Sequence, residues 1–527
     1  MTHALLSSRR MPGVLLAVSL VLAFLAFVVG ARAWQRVADQ PPRRLFAQIL
    51  ADADPTEESP EIWPDYFDAL VPVNIAPLNF EIQTEGERFL TRLASPNLNA
   101  LLPGKVVQCP VDVWKRLTND AKDGQINVDV YVQRQNQWRR LQTRRFYISG
   151  TPITPWLTYR LLEPGYERFN QIEIQQRCLE NFEEHTLTHA RAINERTCVN
   201  CHTFQNYNSD VFLLHARRAC DGTYIRYNGS SSKVSLRAPD SNLGCAYASW
   251  RAQGAEIAFS ANATFQLFHD VDPDRIDVLD TASDLALYNA QTQKLRAITQ
   301  TDDLFETFPS WSHDGQTLYY CVARNPYATP SRAPDAQQKR RVEALQVARE
   351  FHYNLARMSY DPETGDFGAP ETLLDAEALE KSVAHPRECP NGSCVVYTLS
   401  DYGTFPIWRR GADLWELNLE TGESRSIEEI NSDQTESWHE WDKSGEWLVF
   451  SSRRDDHTYT RPYFAHRDPI TGQWSKPFLL PQRRPSDNLA RMKAYNLPVF
   501  TETMTTTTPY NVAKTLRLPL TNQETKR

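Results

Sequence analysis

Short runs of alternating apolar and polar residues, each opened by a turn, dominate the second half of the chain. Trp250 to Phe259, Trp311 to Tyr320 and Trp441 to Phe450 share one layout: Gly stands four residues after the Trp, and an aromatic closes the run nine after it. His385 to Tyr397 is a looser fourth copy. Alternation with period two after the glycine predicts a half-buried strand. A second unit follows, in which an aromatic-bearing strand and an acidic-Thr-Gly turn lead into another strand. Asp413 to Gly422, Met358 to Gly365 and Phe464 to Gly472 carry it, and Asp284 to Thr292 repeats it without the Gly. Four strands per unit with turns at fixed offsets predict a β-propeller. Successive units begin 61, 74 and 56 residues apart, so insertions are expected. Asn325 to Glu350 is the largest, with a helix-forming stretch from Gln337 to Arg349 placed on one rim. His215 to Tyr227 reads as a degenerate unit turning at Asp221-Gly222. Roughly 280 residues at about 45 per blade give six or seven blades; a sandwich with long hairpins is the alternative.

Earlier segments are less regular. Gly13 to Ala31 carries no charge and follows Arg9 and Arg10, the pattern of an export segment. Ala31-Arg32-Ala33 before Trp34 fits a cleavage site, while the length of the run suits a membrane anchor. Residues 1–33 are therefore a signal peptide or signal anchor. Residues 34–64 read as a linker, Pro-rich and acidic from Ala51 to Pro64. Residues 65–182 read as a small β-domain, with strands at Ile75 to Phe80, Ile126 to Val132 and Arg144 to Ile148. Glu183 to Arg196 reads as a helix leading into residues 183–208, and 209–484 form the propeller, followed by a C-terminal extension, 485–527. The fold class is mainly β.

The composition fits that reading and narrows the function. Apolar residues make up 41% and aromatics 11%, as in a folded protein. A net charge of −8 without a long basic run argues against nucleic-acid binding. No nucleophile elbow, phosphate loop or His-Glu-x-x-His helix occurs. Asp270, Asp272, Asp274 and Asp277 have carboxylate spacing like a calcium loop but lack its Gly and terminal Glu, and read as a solvated loop.

Cys198-Val199-Asn200-Cys201-His202 changes the picture most. Two thiols three positions apart with a histidine directly after them form the attachment motif of a c-type haem. The thiols become thioethers to the porphyrin, and the imidazole is the proximal iron ligand. With 9 Cys and 12 His in 527 residues, chance supplies roughly 0.004 such runs. A zinc site is the competing reading, but a second ligand pair at zinc-finger spacing is missing. The expected cofactor is one haem c, held by Cys198, Cys201 and His202. Attachment takes place outside the cytoplasm, which the export segment permits. Of the remaining cysteines, Cys389 and Cys394 flank an Asn391-Gly392 turn and are the disulfide candidate.

The propeller repeats resemble the TolB-like, PD40-type family, whose blades carry a Ser-x-Asp-Gly turn before an apolar strand. Trp311-Ser312-His313-Asp314-Gly315 is the nearest copy, with His313 at the usual Pro; Gln253 and Ser444 replace the turn aspartate elsewhere. Cys198 to Arg324 also resembles a group of bacterial envelope proteins with one c-type haem motif directly ahead of such a propeller. The resemblance implies an architecture and a compartment, the periplasmic side of the inner membrane, and leaves the function open.

The sixth iron ligand decides what such a haem does. Met492, after the last blade, is one candidate. His185 and His189, expected on one helix face, and His215, thirteen residues after His202, are the others. The leading expectation is periplasmic electron transfer, with the propeller docking a redox protein or an envelope complex. A haem-bearing scaffold or sensor for envelope assembly is the alternative. An oxidoreductase with a second site on the propeller is a further one.

Overall fold

In the computed structural model, residues 43–520 are described, apart from 164–167, 240–242, 273, 275, 331–332 and 334. The export segment lies outside the described residues. Among the described residues no helix is long and apolar enough to cross a membrane.

Six four-stranded antiparallel sheets form the blades. Blade 2 comprises Thr197–Gln205, Asn208–Arg218, Gly222–Tyr227 and Ser230–Val234. Blade 3 runs from Gly244–Trp250 to Lys294–Ala297, and blade 4 from Leu304–Trp311 to Glu371–Leu374. Blade 5 runs from Ser382–Glu388 to Ser424–Ser426, and blade 6 from Glu436–Trp441 to Phe478–Leu479. Blade 1 is composite. Its three outer strands, Trp156–Leu162, Glu173–Cys178 and Glu184–His189, precede the rest of the ring, and its inner strand, Ala494–Thr501, is the last of the chain. That strand pairs antiparallel with Trp156–Leu162 and packs between the inner strands of blades 6 and 2, which closes the ring. A closed ring of packed sheets leaves only short edges and is a propeller, not a sandwich.

The repeating turns follow the sequence pattern. Gly254, Gly315, Gly392 and Gly445 link the first and second strands of blades 3 to 6, with φ of 98°, 68°, 71° and 75°. An L-residue with a Cβ is disfavoured there, and this fixes Gly at one offset in each repeat. Cys389 and Cys394 are disulfide-bonded across the turn at Gly392, with Cα atoms 5.2 Å apart. The insertion in blade 4 carries the expected helix, Ala336–Val347.

Several boundaries differ from those expected. Residues 156–182 belong to blade 1, and residues 183–208 are no separate attachment segment. Glu184–His189 is a strand, Ala190–Ile193 is one short helical turn, and Thr197–Gln205 is the inner strand of blade 2. Tertiary pairing overrides the local helical reading here, because the propeller supplies a strand partner on either side. In blade 2 the turn at Asp221-Gly222 joins the second and third strands rather than the first and second. The region after 484 holds the closing strand and a helix, Pro509–Leu516, that packs on blades 1 and 2. Pairing also reaches into the expected linker: Asp54–Pro55 adds to the N-terminal sheet, and Ile62–Trp63 pairs with Phe80–Ile82.

That N-terminal part is a seven-stranded sheet with a three-stranded sheet and the helix Val111–Asp120. It shares one apolar core with blade 6, in which Phe67, Phe80, Trp114 and Phe146 are continuous with Trp441, Trp447 and Phe464. Polar contacts fix the angle. Trp447 Nε1 donates to the Thr151 carbonyl at 3.2 Å, and the Asp442 carboxylate accepts from the backbone and hydroxyl of Thr154 at 3.1 and 3.2 Å.

Phe500, fully buried in the closing strand, packs tilted against Phe464 of blade 6 with ring centroids 6.3 Å apart. Phe500→Ala is expected to cost about 3–5 kcal/mol, read from urea unfolding of the full chain. A loss under about 1 kcal/mol would show that ring closure does not depend on this packing.

Candidate functional site

The six inner strands share one irregularity. In each, a register shift inserts one extra residue opposite the neighbouring strand, between Val199 and His202, Ala246 and Ser249, Thr307 and Ser310, Ala384 and Arg387, and Ser437 and Glu440. The closing strand has its own between Asn496 and Val499, opposite Thr158 and Arg160. Bulges bend a strand and re-aim a side chain. Here they turn the strands where all six meet at the axis. The first bulge residues of blades 3, 4, 5, 6 and 1 are Tyr247, Phe308, His385, Trp438 and Leu497, with φ between 48° and 53°. Left-handed backbone costs a non-glycine residue about 1–2 kcal/mol, so each is held there by packing.

Those side chains fill the axis. Tyr247 and Phe308 have ring centroids 4.5 Å apart, Phe308 and His385 4.3 Å, and His385 and Trp438 3.8 Å. The equivalent bulge in blade 2 is Asn200-Cys201, the centre of the Cys198–His202 motif. Sequence placed that motif on a helix end; the structure places it on the wall of the propeller channel.

Each residue of the motif has a distinct setting. Cys198 is packed in an apolar cluster with Leu162, Ile174, Ile193 and Leu516, where burial raises its thiol pKa, opposed by Arg160, Arg217 and Arg218. Asn200 accepts a hydrogen bond from Arg160 of blade 1 and donates to Cys198 Sγ at 3.4 Å. Cys201 and His202 line a cavity of about 40 Å³ on the axis, together with His385, Trp438 and His439. His202 is buried, and neither ring nitrogen makes a hydrogen bond of good geometry, although the backbone groups of Thr158 and Leu497 lie within reach of the ring. Burial, and then Arg160, pull its pKa down to about 3, against the backbone groups of Thr158 and Leu497, which favour the proton. The imidazole is therefore neutral, the form that binds a metal.

For a haem, the donor chemistry fits: two thiols outside any disulfide and a neutral imidazole without a well-formed hydrogen bond occupy one strand. The space is closed. About 40 Å³ admits about three waters, Cys198 and Cys201 open on different surroundings, and aromatic rings plug the axis. A porphyrin on both thiols requires those rings and the motif to repack.

The distal candidates from sequence are elsewhere. Met492 is 66% exposed beyond blade 6. His185 and His189 lie on the outermost strand of blade 1 rather than on a helix face. There His185 rests against Trp156, and His189 caps Arg191 N at 3.1 Å while facing Glu173. His215 is buried and bonds Thr223 Oγ1 through Nδ1 at 2.9 Å, lining a different cavity between blades 2 and 3. None of the four lines the cavity of His202. The residue missed was His385, whose bulge position appears only once the repeats are aligned by strand pairing. Asp277 is likewise no open calcium ligand, being buried in an ion pair with Arg409 at 2.6 Å. Among the described residues no cluster of three or more His, Cys, Asp or Glu is placed to hold a metal ion.

A scan of family models finds no match, and a search of curated proteins finds none. Among solved structures, the chain is similar to TolB from Acinetobacter baumannii, with TM-score 0.39 and 10% identity over 71% of this chain and 78% of that one. It is also similar to the Cps50 (Swd1) β-propeller domain of Myceliophthora thermophila, with TM-score 0.32 and 12% identity over 63% and 88%. A third is prolyl oligopeptidase B from Galerina marginata, with TM-score 0.32 and 9% identity over 75% of this chain and 53% of that one.

The buried histidines make stability depend on pH. His439 donates through Nε2–H to the Val396 carbonyl, 3.0 Å away, and burial, then Arg387, lowers its pKa to about 3. Its unfolded pKa is near 6.5, so the unfolded chain takes up a proton first and stability falls as pH drops below about 6.5. From pH 7 to pH 5 this one residue is expected to remove about 2 kcal/mol. Urea unfolding of His439→Leu at both pH values should lack that part of the loss; an unchanged pH dependence would contradict a neutral buried His439.

Proposed function

We propose that this protein is an exported monohaem c-type cytochrome built into a propeller, working in electron transfer on the periplasmic side of the inner membrane. The observation that carries the proposal is His202, buried at the channel wall inside a Cys-x-x-Cys-His run with neither ring nitrogen in a well-formed hydrogen bond. An unmade hydrogen bond on a buried polar group costs about 1–3 kcal/mol, and a bound iron explains why such a residue is kept. Cys198 and Cys201 would hold the porphyrin, and His202 would supply the proximal ligand. A haem there supplies one-electron exchange between ferric and ferrous iron.

The chain's own groups set the conditions. Burial, and then Arg160, lowers the pKa of His202 and holds the imidazole deprotonated, and the hydrogen bond from Arg160 to Asn200 fixes the residue between the two thiols. Blade 2 contributes the motif and blade 1 the arginine, so the site spans the seam at which the ring closes. The blade rims would provide the surface on which a redox protein docks.

Protein exported from cells able to attach c-type haem should give a pyridine haemochrome spectrum equal to one haem per chain. Cys198→Ala and Cys201→Ala should each reduce covalent haem by tenfold or more, and covalent haem retained by the double variant would overturn the proposal. Arg160→Gln should leave haem attached and shift its midpoint potential; an unmoved potential would remove Arg160 from the site.

A further inference from the structure

We infer that the cleft between blades 2 and 3 binds a small molecule through an oxyanion, a carboxylate or a phosphate. The inference does not depend on haem. The cleft has a volume of about 240 Å³, below the roughly 300–1,000 Å³ of sites that take drug-sized ligands and suited to a smaller one. Two strands of blade 2 and two of blade 3 wall it. Tyr247 lines both this cleft and the axial cavity.

The floor is built around His215. On the strand Asn208–Arg218, Leu213, His215 and Arg217 fall on one face. Leu213 shares an apolar core with Phe259 of blade 3, and the His215 ring lies 6.0 Å from that of Phe259. His215 is 4% exposed. Its Nδ1 is bonded to Thr223 Oγ1 at 2.9 Å, while Nε2 has no hydrogen-bond partner. A buried polar atom left unpaired is costly, and a bound ligand would remove that cost. When the Thr223 hydroxyl donates to Nδ1, the ring proton sits on Nε2, which then donates to a ligand. Burial, and then Arg217, hold the pKa of His215 down at about 3, so at neutral pH the ring offers one N–H and no charge.

Charge comes from the mouth. Arg217 and Arg237 line the cleft, and Asp221, 3.5 Å from Arg237, is the one carboxylate among the lining residues. Two cations against one anion leave the cleft cationic. Arg217 is exposed and has no ion-pair partner among the described residues. A planar guanidinium matches a carboxylate or phosphate in bidentate geometry. Ser235, Asn262 and Thr264 supply hydroxyl and amide groups for the rest of the molecule.

The test is isothermal titration calorimetry of the full-length exported protein with succinate and, separately, with inorganic phosphate. At least one of the two should bind saturably at one site per chain. Arg217→Gln should weaken that binding by about tenfold or more, and His215→Leu by about threefold or more. Arg218→Gln removes the same charge from a side chain stacked on Phe169 at 3.8 Å, and should match the parent. If His215→Leu does not accumulate, the two arginine variants carry the test. With that variant pattern, saturation by succinate assigns the site to carboxylates, and saturation by phosphate alone assigns it to phosphorylated ligands. Failure of both probes at millimolar concentration overturns the proposal. Binding that Arg217→Gln leaves unchanged, or that Arg218→Gln weakens as much, marks an adventitious ion only and also overturns it.

Discussion

The pairing of Ala494–Thr501 with Trp156–Leu162 is the constraint on which the molecule depends. It joins the two ends of the propeller sequence into one sheet, over more than three hundred residues of chain. Closing a long loop is entropically cheap per added residue but must be repaid by a specific contact. Here the contact is a full ladder, backed by Phe500 and Tyr495 in the core shared by blade 6 and the N-terminal sheet. Once the ring is closed, the radial order of strands follows, and six inner strands must share one axis.

Crowding at the axis accounts for the bulges and for the chemistry they carry. A regular strand would alternate its side chains between blade faces; an extra residue breaks the alternation and directs one side chain to the centre. Five of the six positions use this to build a plug. In blade 2 the same device places Asn200-Cys201 at the wall, so the Cys-x-x-Cys-His run and a structural irregularity coincide. The aromatic contacts on the axis compete with any group placed there. A haem held there would have to displace packed rings, because the axis offers no preformed hole of its size.

Much of this was legible in the sequence, for physical reasons that vary from blade to blade. Gly315 and Gly445 announce blades 4 and 6 because positive φ demands glycine at a fixed offset from Trp311 and Trp441. Gly392 with Cys389 and Cys394 marked both a turn and a disulfide. Blade 1 was invisible, because Leu157 and Phe500, paired in the folded chain, carry no shared pattern and lie far apart in sequence. The strand Thr197–Gln205 was missed for another reason: its bulge shifts the apolar alternation between Val199 and His202, which erases the period-two signal. His385 was equally hidden. A histidine in a strand carries no signal until its ring nitrogens are found without partners and three of its five counterparts, Tyr247, Phe308 and Trp438, prove to be aromatic.

The proposed haem would be covalently held by the strand at the channel wall. Intact-mass and peptide mass spectrometry of the exported protein tests it most directly. A single haem mass on every chain, mapped to the peptide containing Cys198, Cys201 and His202, is expected. An unmodified peptide, with two free thiols or a disulfide between Cys198 and Cys201, would contradict it.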